Sequence, residues 1–115
     1  MTTKTAKDEK PVKAPNPTGV DENGLVWEDV EVFGTTYRLR EITVEESDAA
    51  FDASQNPDKT FNARLNQRMQ LSAAIVTPPT TVDDMAKWGV KKLVSIIDAF
   101  DRLNNLPAAD AEGNA

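Results

Sequence analysis

VDDMAKWGVKKLVSIIDAFDRLNNL, residues 82–106, decides how this chain reads. Within it Val82, Met85, Gly89, Leu93, Ile96, Phe100 and Leu103 recur at spacings of three and four, so they share one side of an α-helix. Val90, Val94, Ile97 and Leu106 widen that stripe around the cylinder. A helix so apolar can bury one line in a core and keep surface to spare for a partner. The expected core line is Leu93, Ile96, Phe100 and Leu103, and the candidate partner-binding edge is Val90, Val94, Ile97 and Leu106. Gly89 costs about 1 kcal/mol relative to alanine inside a helix, so a kink or short break is expected there.

Upstream of this stretch, Thr81-Val82-Asp83-Asp84 supplies a threonine cap and two acids in the first turn, where the helix dipole favours them. Thr77-Pro78-Pro79 ends a preceding helix, because a residue before proline is pushed out of the helical region. That middle helix presents Phe61, Leu65, Met69, Ser72 and Ile75/Val76 at near-helical spacing. Asn56-Pro57 is its expected start, with asparagine as cap and proline at the first helical position. Thr43-Val44-Glu45-Glu46 is a capping box opening a shorter helix to about Ala53, expected to bury Val44, Ala50 and Phe51.

Ahead of the helices, Trp27–Phe33 and Tyr37–Ile42 are two runs rich in β-branched and aromatic residues, parted by Gly34-Thr35-Thr36. This predicts a β-hairpin. Val30 and Val32 share a face of the first strand, and Tyr37 and Leu39 share a face of the second. Arg38 and Arg40 point the other way, within reach of Glu28, Asp29 or Glu31. A lone hairpin is marginal in water, so helices must cover its apolar face. The expected fold is therefore α+β, mostly α: an N-terminal hairpin packed on three or four helices, in one domain over residues 25–106. Residues 1–24 and 107–115 are expected to be disordered polar and acidic tails, having too little apolar surface to offset the entropy of ordering.

Composition narrows the chemistry. The chain of 115 residues has no histidine and no cysteine. The commonest general base near neutral pH, the commonest metal ligand and the thiolate nucleophile are thereby removed. The acid pairs Glu45/Glu46 and Asp83/Asp84 lie at helix starts, and Asp98/Asp101 lie on the polar side of the striped helix. Neither an enzyme nor a cofactor or metal site is expected. The formal charge is −6, and Lys4, Lys7, Lys10 and Lys13 are balanced by Asp8, Glu9, Asp21 and Glu22. Phosphate backbones call for clustered lysine and arginine, so no nucleic-acid partner is expected. Nor is a membrane, since no apolar run approaches the roughly 20 residues that span one. The polar N-terminus lacks a secretory signal, which makes the cytoplasm the expected location.

The order of parts resembles a known family. A polar tail leads into a hairpin ending Tyr37-Arg38-Leu39-Arg40-Glu41-Ile42, Thr43-Val44-Glu45-Glu46 opens a helix, a middle helix ends at AAIVTPP (residues 73–79), and SIIDAFDRLNNL (residues 95–106) closes the last. In this it is similar to the tail assembly chaperones of long-tailed bacteriophages, over about residues 27–106. The resemblance implies a protein that binds the long helical, apolar tape measure protein, keeps it soluble and helps the tail tube to polymerise around it, with the major tail protein as a further candidate partner. It implies residence in the host cytoplasm and absence from the finished virion. It also implies a longer form made by frameshifting, and Glu112-Gly113-Asn114 can be encoded GAG GGA AAC, which contains the slippery heptamer G GGA AAC. A modest core beside a broad apolar stripe further suggests a homo-oligomer. Two other readings stay open: a small virion connector protein, and an acidic regulator or decoy.

Overall fold

In the computed structural model, which describes residues 16–104, Thr18–Val20 (β1), Val26–Val32 (β2), Thr35–Arg40 (β3) and Ile75–Thr77 (β4) form one antiparallel sheet in the order β1-β2-β3-β4. Val44–Ala53 (α1), Ala63–Ala74 (α2), Val82–Ala86 (α3) and Val90–Asn104 (α4) are the helices, so the class is α+β. The hairpin forms where the residues predicted it. Val30 pairs with Tyr37 and Glu28 with Leu39, which puts Val30, Val32, Tyr37 and Leu39 on one face. The turn is shorter than the expected Gly34-Thr35-Thr36: Phe33 and Gly34 make it alone, both at positive φ (48° and 88°). Paired positive φ values suit the right-handed twist of two-residue hairpins.

The sheet is wider than a hairpin. The expected boundary at residue 24 falls inside it, because Thr18, Gly19 and Val20 pair with Glu28, Trp27 and Val26. An edge strand needs no apolar side chains of its own when backbone bonds hold it. Here the Asp21 carboxylate also accepts the N–H groups of Asn23 and Leu25, tightening the turn into β2. Residues 1–15, and the tail expected from 107, lie outside the described residues.

At the other edge, Ile75 and Val76 were expected to finish the middle helix but instead begin β4. Ile75 is already extended (φ −79°, ψ 107°), and Ile75 and Thr77 pair with Leu39 and Arg38. Two β-branched residues before a threonine-proline pair favour a strand once a free sheet edge is within reach.

The core lies between the sheet and the helices. Leu39, Leu71, Ala74, Ile96 and Ala99 are fully buried, with Val32, Tyr37, Ile75, Met85 and Phe100 around them. Leu71 and Ala74 face it from α2 in place of the expected Phe61–Met69 line. That helix starts later than predicted, since Asn62, not Asn56, caps it by accepting from the N–H of Leu65. Residues 55–61 close a local turn, with a Gln55–Phe61 bridge and the Asn56 N–H donating to the Thr60 carbonyl at 2.8 Å.

Thr43 caps α1 with the predicted reciprocal bonds, the Glu46 N–H to Thr43 Oγ1 and the Thr43 N–H to Glu46 Oε1. Its buried side differs from expectation. Ala50 is buried, and so is Ser54 just beyond the helix, but Val44 is 78% exposed and Phe51 48%. The inner face of α1 carries small residues, which let it lie close to α2 and turn its large side chains outward.

Candidate functional site

The break at Gly89 separates α3 from α4, as the glycine predicted. The α4 helix then crosses β2 and β3 with Ile96, Ala99 and Phe100 inward. At its far end the Asn104 side chain accepts the Ile42 N–H at 2.8 Å and donates to the Phe100 carbonyl. That clamp fixes the helix to the corner between β3 and α1. Arg102 reaches Glu28 on β2 at 2.8 Å. Burial works to raise the Glu28 carboxyl, but the Arg102 and Asn16 hydrogen bonds outweigh it and hold it below the usual range.

The edge nominated from the sequence divides. Val90 (77% exposed) and Val94 (48%) lie outward on α4. Ile97 packs against the core with Leu93 and Leu103, so it belongs to the buried line instead. Leu106 lies outside the described residues. Beside Val90, Lys87 and Lys91 are exposed, while Lys92 lies over the rings of Tyr37 and Trp88 at 5.1 and 4.6 Å. A helix start that is apolar outward and ringed by lysines can receive an apolar partner with acidic flanks.

A second apolar surface escaped the sequence reading. Phe51 of α1 and Phe61 of the following loop are both exposed, with ring centroids 4.8 Å apart. Val44, seven residues before Phe51, shares its side of the helix. Next to Val44 an open groove of about 290 Å³ runs between Ile42, Ser47, Gln70, Phe100 and Asn104. The predicted periodicity contained Val44 and Phe51; only their outward orientation was unforeseen.

Several charged groups are engaged structurally. Arg38 forks onto Asp29 (2.7 and 3.1 Å) and lies 3.6 Å from the centre of the Trp27 ring. Arg40 forks onto Glu46 (2.9 and 2.7 Å), not onto the hairpin acids. The Arg40 hydrogen bond, helped by the Thr43 N–H, pulls the Glu46 carboxyl down to about 2. Asp84 is held low by its capping bonds to Thr81. These depressed carboxyls hold helix ends and ion pairs in place. Among the described residues no group of acids could hold a metal ion, and no helix is long and apolar enough to cross a membrane. No family model, curated protein or solved structure matches this chain.

Proposed function

We propose that this chain is an assembly chaperone of the long-tailed phage kind, holding a long, helical, apolar tail protein in solution until the tail tube forms around it. The observation that carries the reading is the outward placement of Val90 and Val94 on a helix whose other face already fills the core. Apolar side chains left over on an acidic body suit reversible capture of amphipathic helices. The order of hairpin, capped helix and striped last helix supports the same family. In this reading the tape measure protein is the partner, the major tail protein is a further contact, and the chaperone works in the host cytoplasm and leaves before the virion is complete. A homo-oligomer is compatible with it.

The test is co-expression with a tape measure protein of a long-tailed phage. The chaperone should keep that protein in the soluble fraction, and V90D/V94D should release it to the pellet while the variant itself stays folded. A partner equally soluble with and without the chain, or the chain retained in purified particles, would overturn the proposal. Retention in particles would favour the connector reading instead.

A further inference from the structure

We infer that the outward face of α1, with the groove beside it, is a docking site for an amphipathic helix whose apolar stripe is flanked by lysine or arginine. This goes beyond the chaperone proposal, since it concerns a different face from the α4 edge and holds whatever the wider role of the chain.

Three features converge on that occupant. First, the apolar surface has the dimensions of a helix stripe. Val44 and Phe51 stand about 10 Å apart along α1 at the helical rise, and Phe61 extends the line through its 4.8 Å ring contact with Phe51. At 78%, 48% and 41% exposure, these three side chains keep a large part of their apolar surface open among the described residues. Second, the groove of about 290 Å³ next to Val44 offers Ile42 and Phe100 as an apolar floor for one further side chain. Third, the edge of α1 carries one sign of charge, while exposed Lys59 and Arg64 lie within three residues of Phe61 at the far end of the line. Glu45, Asp48 and Asp52 are exposed along the edge of α1 away from the groove, and none forms an ion pair among the described residues. The helix carries no basic residue, and its fourth acid, Glu46, is taken by Arg40. Across the groove the wall is neutral: Gln70 bonds Asn66, and Arg68, two positions from Gln70, lies on the opposite side of α2. An acidic flank beside an apolar line selects a partner of opposite charge and disfavours an acidic one.

A second copy of this chain fits poorly. The exposed stripe on α4 runs only from Val90 to Val94, about 6 Å, because Ile97 is already committed to its own core. Copies carrying −6 each also repel.

The experiment uses the full chain, isotope-labelled, and two synthetic helical peptides of about 18 residues, long enough to cover the face. Both carry the same leucine stripe, flanked by lysines in one and by glutamates in the other. The lysine peptide should shift amide signals of residues 42–61 together with Gln70, Phe100 and Asn104. Its binding should weaken by about tenfold in D48K/D52K, the effect of two exposed charge contacts. The same variant should gain affinity for the glutamate peptide, and F51S should lose binding of the lysine peptide. All these substitutions are at exposed positions, and the mapping on the unsubstituted chain stands without them. Equal binding of the two peptides, shifts confined to α4, or self-association abolished by F51S would each overturn the inference.

Discussion

Replacing Glu46 tests how the corner between β3 and α1 is held. Its carboxylate accepts from Thr43 N–H, closing the capping box, and takes both Arg40 nitrogens at 2.9 and 2.7 Å. Two substitutions separate these roles. Glu46→Gln keeps an acceptor for the Thr43 N–H and loses the ion pair, while Glu46→Ala loses both. The carboxyl ionises at about 2 in the folded chain against 4.5 ordinarily. A gap of that size corresponds to a ceiling of about 3 kcal/mol. The pair is partly exposed (side chains 20% and 31%), and solvent screening lowers the expected contribution to about 1–2 kcal/mol. The lost cap adds roughly 1 kcal/mol in the alanine variant. Because the folded-state value is depressed, this stabilisation is fully present above about 4.5 and is lost as pH falls from there towards 2. Thermal melts at pH 7 should place Glu46→Gln about 4–16 °C below the parent and Glu46→Ala lower still. The gap between parent and Glu46→Gln should close as pH drops below 4. A gap that is equally wide at pH 3, or a Glu46→Ala melt matching the parent, would refute this account of the corner.

Other substitutions probe the core and the two surfaces. Phe100→Ala, at a position only 8% exposed, should cost about 3–5 kcal/mol in urea unfolding. Val94→Asp should change stability by under about 0.5 kcal/mol, whereas Ile97→Asp, against the core, should cost several times as much; equal losses would return Ile97 to the exposed edge. Gly19→Ala should destabilise by about 1–3 kcal/mol, because its Cβ would meet Trp27 Cζ2 at 2.7 Å under the ring that Arg38 covers. Red-shifted tryptophan emission should report that displacement. Asn104→Ala leaves the Ile42 N–H without its acceptor and should cost about 1–3 kcal/mol, with faster hydrogen exchange at Ile42.

Local signals in the sequence carried a good part of this fold. Thr43, Thr81 and Gly89 act through bonds or backbone freedom within a few residues, so the capping box at Thr43, the threonine cap at Thr81 and the break between α3 and α4 were legible from spacing alone, though the return bond from Asp84 that closes a second box was not. The hairpin face of Val30, Val32, Tyr37 and Leu39 followed from period-two alternation, and the inward line of Ile96 and Phe100 from helical spacing. Tertiary structure decided what depends on a distant neighbour. Thr18–Val20 became a strand because β2 offers it an edge, and Ile75–Thr77 because β3 does; neither segment has periodicity enough to declare itself. Arg40 found Glu46 across a corner rather than a hairpin acid across the ladder. Most consequential for the candidate surfaces, Val44, Phe51 and Ile97 ended on the side opposite to the one expected. Spacing shows which residues share a helix face, but which face turns inward depends on what packs against it. Small Ala50 and Ser54 let α1 approach α2 closely, and that contact left the aromatic side outward.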